Sequence, residues 1–115
     1  MKNVLKDKSY CFALEIVKLS RIIHHKNEYV LGRQILRSGT SVGALIREAE
    51  FGQSKKDFIN KMSIALKEAN ETLYWLDLLK DAEIIELNIY QELKSLNLEL
   101  IAMLVSSIKT AKMNS

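Results

Sequence analysis

Few residues of this 115-residue chain have the type and spacing that catalysis or metal binding requires. Its two histidines, His24 and His25, are adjacent, and neither has an acidic residue three positions before it. A di-metal carboxylate site inside a helical bundle needs Glu-x-x-His on two helices, so that the ligands converge in the core. The sequence therefore excludes that class of site.

Two pairs of glutamates, Glu68–Glu71 and Glu83–Glu86, have the spacing of a helical magnesium site. Carboxylates are ligands for Mg²⁺, but the second pair falls in a predicted turn and would not project into a core. We therefore interpret both pairs as solvated charges. The chain also lacks Cys-x-x-Cys, a haem attachment motif and a glycine-rich phosphate loop. We predict no catalytic residues, no metal, no cofactor and no enzymatic activity.

The single cysteine and the hydropathy pattern indicate where the protein works. Cys11 cannot form an internal disulfide, which favours a reducing compartment. Beside Phe12, we interpret it as a small buried hydrophobic residue. The charged N-terminal segment lacks the apolar stretch of a signal peptide, and the longest apolar run, 100–105, is too short to span a membrane. The sequence predicts a cytoplasmic protein with no membrane association.

Basic residues are the remaining lead to a function. Residues 1–38 contain eight Lys/Arg and three Asp/Glu, whereas the last 35 residues contain three and five. A basic N-terminal third favours a polyanionic partner, and arginine binds phosphate through two parallel hydrogen bonds. The candidate contacts to RNA or DNA are Lys18, Arg21, Arg33, Arg37, Arg47, Lys55 and Lys56. Alternatively, since Glu48 and Glu50 flank Arg47, the arginines form structural salt bridges in a module that binds only protein.

Helical periodicity runs through four segments of the chain, which contains no proline and only four glycines. Proline is the residue that helix interiors reject most strongly. The segments are about 7–25, 28–51, 55–80 and 88–111, with Asp7, Asn27 and Ser54 as predicted caps and Asn88 with Gln91 opening the last. Short connections force neighbouring helices to run antiparallel. We predict one domain over residues 1–115, an all-α, up-down-up-down four-helix bundle.

The second segment contains an unusual run of small residues, Ser38 to Ala44, with Gly39 and Gly43 one turn apart. Each glycine costs ~1 kcal/mol relative to alanine inside a helix. Either the chain breaks into two helices here, or a continuous helix accepts this cost because another backbone packs closely on the small-residue face. The apolar period continues in register across the run, which favours the continuous helix.

The last two helices carry more apolar surface than a single bundle needs. Beside their main seams lie Tyr74, Trp75 and Leu78, and Leu98, Ile101 and Val105. Wide apolar stripes arise in helices that are buried on two sides, but aromatic residues are also enriched where proteins associate. The candidate contacts between copies of the chain are therefore these six residues together with Gly39 and Gly43.

An ordered series of short motifs resembles the "four helix bundle protein" family. The series comprises QILRSGTSVGA at 34–44, IREA at 46–49, QSKKDF at 53–58, IALKEA at 64–69 and ETLYWL at 71–76. Members of this family include proteins encoded in intervening sequences of bacterial 23S ribosomal RNA genes. The resemblance extends over about residues 10–110 and is strongest over 34–79.

The resemblance implies an antiparallel four-helix bundle that assembles into a homopentamer, with no catalytic residues. It also implies kinship with the accessory protein of diversity-generating retroelements, a basic ring that binds nucleic acid and a reverse transcriptase. Such a reverse transcriptase is thus a candidate protein partner. One position departs from the family pattern, because Leu45 stands where an asparagine is usual. A mechanism that requires that amide is not available to this chain.

Overall fold

The computed structural model describes residues 3–114, which form four helices and no strand. They are α1 (Val4–His25), α2 (Tyr29–Glu50), α3 (Lys55–Asp81) and α4 (Leu87–Met113). Each helix packs against the next one in the chain, α4 returns to pack against α1, and no Cα atoms of the diagonal pairs lie within 8 Å of each other. The described part of the chain measures 47 × 23 × 21 Å, the shape of four long helices packed side by side. The predicted all-α four-helix bundle is confirmed.

The contacts between helices show how the chain runs. Gly32 of α2 lies against Ile23 near the end of α1, and Gly43 lies against Ser9 near its beginning. Later residues of α2 therefore lie beside earlier residues of α1, so the two helices are antiparallel. The same relation holds for α1 with α4 (Lys8 with Glu99, Lys26 with Ile84) and for α3 with α4 (Asp77 with Tyr90, Ala69 with Asn97).

The first helix begins earlier than predicted. Asn3 is its N-cap, and the Asn3 side chain accepts a hydrogen bond from the backbone N–H of Lys6 at 3.0 Å. The prediction that Asp7 caps this helix is wrong. Asparagine caps as well as aspartate does, and the earlier start buries Leu5 in the core. Asp7 instead lies in the first turn, where its charge complements the helix dipole.

The predicted role of Asn27 is also wrong. Its φ angle is +64°, a left-handed conformation that asparagine tolerates better than most residues. Its backbone N–H donates to the carbonyl of His24 at 2.9 Å. Asn27 therefore closes the end of α1, and the N-cap of α2 is Glu28, which makes no capping hydrogen bond with its side chain.

The start of α3 agrees with the sequence. Ser54 is the N-cap, and its hydroxyl accepts from the backbone N–H of Asp57 at 3.1 Å. The Asp57 carboxylate in turn accepts from the backbone N–H of Gln53 at 3.3 Å, one residue before the cap. This exchange is a capping box displaced by one position.

The core is apolar except at a few positions. The hydroxyls of Ser38 on α2 and Thr72 on α3 hydrogen-bond to each other at 2.9 Å. Asn97 on α4 is fully buried, and its Nδ2 donates to the carbonyl of Ala69 on α3 at 3.0 Å. The Asn97 Oδ1 has no partner among the described residues.

Cys11 is exposed, so its interpretation as a small buried hydrophobic residue is wrong. The buried positions of α1 are Leu5, Ser9, Phe12, Ile16, Leu19 and Ile23, in steps of four and three residues. Position 11 precedes one of these by a single residue, and a helix turns by about 100° per residue. The Cys11 thiol therefore points away from the core. None of the helices within residues 3–114 is apolar over a stretch long enough to cross a membrane.

The second helix is continuous through its small-residue run. A Cβ atom built on Gly39 would lie 2.8 Å from both Cγ atoms of Ile16 on α1, closer than packed atoms approach. One turn on, a Cβ on Gly43 would lie 3.3 Å from the backbone oxygen of Ser9. The glycines thus allow α2 to pack closely on α1, which explains why a helix tolerates them.

We expect Gly39→Ala to destabilise the protein by about 1–2 kcal/mol, because the new methyl group would collide with Ile16, which is fully buried. This loss should exceed the gain from the higher helix propensity of alanine. Gly32→Ala is the matched control. Its Cβ would meet nothing closer than 3.4 Å, so we expect it to stabilise the protein by up to ~1 kcal/mol. Urea unfolding of the two variants measures both effects. Equal stability of the two variants would contradict the close packing.

Candidate nucleic-acid interface

The structure separates the predicted basic residues. Arg21 of α1 and Arg33 of α2 line one cavity near the turn that joins these helices. Arg47 lies fourteen residues beyond Arg33 on α2, a rise of about 21 Å. Lys55 and Lys56 begin α3 at that far end of the bundle. The candidates therefore do not form one patch on a single chain.

We call the cavity that contains Arg21 and Arg33 the cationic cavity. Its lining residues are Ser20, Arg21, His24, His25, Tyr29, Gly32, Arg33 and Leu36. None of them is acidic. Across residues 3–114, neither arginine forms an ion pair. Two guanidinium groups that face one cavity without a carboxylate are free to bind an anion.

Local structure at the end of α1 shapes this cavity. His24 and His25 lie in the last helical turn, where polar and cationic groups favour the negative end of the helix dipole. Tyr29 begins α2, and its hydroxyl donates to the side chain of Asn27 at 2.7 Å. The rings of His24 and Tyr29 meet edge to face with their centroids 4.6 Å apart. The left-handed turn at Asn27 thus brings an aromatic ring beside the two arginines.

Arg37 lies one turn beyond Arg33 on α2, and its side chain is already paired with α3. Its guanidinium donates to Glu68 on α3 at 3.0 Å and also to Glu71. The Trp75 indole N–H donates to the same Glu71 carboxylate at 3.0 Å. This indole hydrogen bond and the nearby arginine lower the pKa of Glu71, and the Glu71 carboxylate raises the pKa of Arg37. The arrangement fits the alternative prediction of structural salt bridges at this one arginine.

Arg47 makes no such pair in the described chain. The nearby carboxylate of Glu50 is bonded instead to Lys6 of α1, at 2.9 Å. Arg47 lines a long groove that lies on the outer side of α2 at the far end of the bundle, together with Lys6 and Lys61. The exposed rings of Tyr10 and Phe51 also line this groove.

Lys18 belongs to a more acidic side of the bundle. It forms an ion pair with Glu15 at 3.4 Å. The groove between α1 and α4 is lined by four carboxylates, those of Asp7, Glu15, Glu92 and Glu99. Among the residues that the structure describes, its only basic one is Lys8, which is paired with Glu99. The cationic cavity differs from this groove, because none of its described lining residues is acidic.

The predicted contacts between copies fall into two patches and a pair of glycines that pack against α1. Tyr74 and Leu78 are exposed on α3, with Trp75 half-buried beside them. Leu98 and Val105 are exposed on α4, with Ile101 half-buried between them. Gly39 is buried against α1 of the same chain, and Gly43 is partly buried there. These two glycines therefore act inside one protomer.

His24, His25 and Tyr29 are not among the binding residues predicted from the sequence. A signal for them existed, because Arg21 precedes His24 and His25 by three and four residues and so shares their side of α1. Tyr29 and Arg33 are likewise four residues apart on α2. The groups on α1 and those on α2 come together only through the turn that connects the two helices. The sequence-based prediction of that turn was wrong, because it made Asn27 the cap of α2.

The fold defines an all-α four-helix bundle, and comparison with known proteins agrees with it. A family model described as "23S rRNA-intervening sequence protein" matches residues 1–106, and the chain belongs to this family. The predicted resemblance is therefore confirmed.

A solved structure is closely similar to this chain. It is a protein with unknown function from the S23 ribosomal protein family of Bacteroides thetaiotaomicron VPI-5482. The two are 52% identical, with a TM-score of 0.90, and the similarity covers 92% of this chain and 99% of the other. The comparison with curated proteins gives no match.

We expect Glu71→Gln to destabilise the protein by less than ~1 kcal/mol at pH 7, because the ion pair with Arg37 is partly solvated while the amide oxygen still accepts from Trp75. The pKa of folded Glu71 lies below its usual value of 4.5. Its charge therefore contributes stability above pH 4.5, and this contribution is lost as the pH falls through the folded pKa.

Urea unfolding of wild type and Glu71→Gln at pH 7 and pH 3 checks this expectation. The difference between the two proteins should shrink at pH 3. Glu92→Gln, which removes an exposed carboxylate with no ion pair in the described chain, should show little difference at either pH. A Glu71→Gln effect that grows on acidification would contradict the assignment.

Proposed function

We propose that this protein is a non-enzymatic, homo-oligomeric bundle that binds RNA or DNA through the cationic cavity. One observation carries this proposal. Arg21 and Arg33 line the same cavity, neither forms an ion pair in the described chain, and the described lining contains no carboxylate. Arginine forks bind phosphate oxygens with two parallel hydrogen bonds, which a lysine cannot do. Phosphate is the anion that both nucleic acids present along their whole length.

Repetition in an assembly supports the proposal further. One chain offers a small cationic site, and its net charge is only +3. Several copies around an axis would place identical sites at regular intervals, so that one strand could contact many of them and gain affinity by multivalency. The homopentamer implied by the family resemblance would provide five such sites, as in a scaffold for a larger ribonucleoprotein.

The two exposed apolar patches support assembly into a ring. On α4, Leu98 and Val105 lie on the same side of the helix as Lys94, which contacts Asp77 of α3. On α3, Trp75 and Leu78 lie on the same side of the helix as Glu71, which contacts Arg37 of α2. The patches thus lie on different sides of the bundle. Two different patches that meet between neighbouring copies generate a ring when the rotation closes.

A second candidate function is a module that binds only protein. The ion pairs of Arg37 with Glu68 and Glu71 favour it, because they show arginine used for structure. On this reading a protein partner, such as a reverse transcriptase, would contact the apolar patches or the acidic groove. Nucleic-acid binding separates the two candidates.

We expect Arg21→Ala combined with Arg33→Ala to weaken binding to mixed RNA and DNA at low salt by about tenfold or more. Each lost phosphate contact should also reduce the slope of log K against log salt by roughly 1. Fluorescence anisotropy with labelled oligonucleotides at several salt concentrations measures both quantities.

The matched control is Lys67→Ala combined with Lys109→Ala. It removes the same two positive charges from exposed positions on α3 and α4, away from the cavity. This control should leave the slope close to that of wild type. Equal losses in the two double variants would mean that net charge, and not the cavity, drives binding. No binding by wild type would leave the protein-binding module.

We expect Leu98→Glu combined with Val105→Glu to convert the oligomer to a monomer, because both side chains are about half-exposed in one chain and their charges would be buried between copies. Light scattering after size-exclusion chromatography measures the mass. Leu14→Glu, at an exposed apolar position of α1 outside the two patches, is the control and should assemble as wild type does. A monomeric wild type would end the proposal of assembly.

A further inference from the structure

We infer that the cationic cavity takes an unstacked nucleobase together with its phosphate, so that its ligand is single-stranded nucleic acid. This inference rests on the proposed function, because it specifies which form of nucleic acid that site binds. It follows from the combination of groups in the cavity and not from charge alone. A site for duplex phosphates would need only the two arginines.

Tyr29 is the group that charge alone does not explain. Its side chain is 43% exposed, yet it lines a cavity of about 200 Å³ beside Arg21 and Arg33. The hydroxyl donates to Asn27, and the ring packs against the His24 ring at an interplanar angle of 60°, so these two contacts hold the ring in place. A fixed and partly exposed aromatic ring beside cations is the arrangement on which proteins stack the bases of single strands.

The geometry of the cavity favours a single strand for a second reason. The cavity is a recess between α1 and α2, lined by residues of both helices. Bases in a duplex are stacked on each other and cannot enter a recess without being turned out of the helix. A flexible single strand can place one base against Tyr29 while its phosphate reaches an arginine.

The experiment compares a 12-nucleotide single strand with the 12-base-pair duplex of the same sequence, at one low salt concentration, using anisotropy. Wild type should bind the single strand several-fold more tightly. Tyr29→Leu should weaken single-strand binding by roughly tenfold, the size typical of losing one stacking ring, and should change duplex binding little. Tyr29→Phe keeps the ring and should bind nearly as wild type does.

Tyr10→Leu is the matched control, because Tyr10 is a tyrosine at least as exposed as Tyr29 and lies at the other end of the α1–α2 face. It should leave single-strand binding unchanged. Circular dichroism melting of each variant separates a loss of folding from a loss of contact.

The outcomes distinguish this inference from the proposed function. Binding to both ligands with no preference and no effect of Tyr29→Leu would overturn the inference and leave the proposed function standing. A preference for the duplex would also overturn it. No binding to either ligand would overturn both, since a cavity that binds no nucleic acid binds no base. A tenfold loss in Tyr29→Leu that Tyr29→Phe does not share would support it.

Discussion

The close approach of α2 to α1 at Gly39 and Ile16 is the constraint on which the rest of the structure depends. At Gly39 the Ile16 side chain packs directly on the backbone of α2, and one turn on, at Gly43, the backbone of Ser9 comes close to it. This fixes the direction of both helices and therefore the positions of Arg21 and Arg33 at one end. It also leaves α2 free to present its opposite side to α3, where Ser38 and Arg37 make their contacts. One residue without a side chain thus determines two interfaces.

The same residue type has different roles on this surface, and the neighbouring helix decides which. Arg37 faces two glutamates of α3 and is held in a salt bridge. Arg33, one turn earlier, lines the cationic cavity beside α1, where the described lining residues include Arg21 and two histidines but no carboxylate. Charge counted along the sequence cannot separate these two arginines. The difference lies in which positions of two other helices come opposite them.

Much of the fold was predictable from local patterns, and the errors have local causes. Ser54 was correctly predicted as a cap because serine and an acidic residue three positions later satisfy each other over a few residues. Asp7 and Asn27 were assigned wrongly because several residues near each boundary could cap equally well, and the choice is made by burial of Leu5 and by a left-handed turn. The candidate site was only half predictable. Its arginines stood out by type, but Tyr29 joins them only through the geometry of that turn.

The buried amide of Asn97 has a consequence for how α3 and α4 can slide past each other. Its Nδ2 finds an acceptor, the Ala69 carbonyl, at a single level of α3, while its Oδ1 is left without a partner in the described chain. A buried polar atom without a hydrogen bond costs about 1–3 kcal/mol. Displacing α4 by part of a turn would break the hydrogen bond to Ala69, leave both ends of the amide unpaired and raise that cost further. We expect Asn97 to lower the stability of the bundle somewhat and, at the same time, to favour one alignment of α3 and α4.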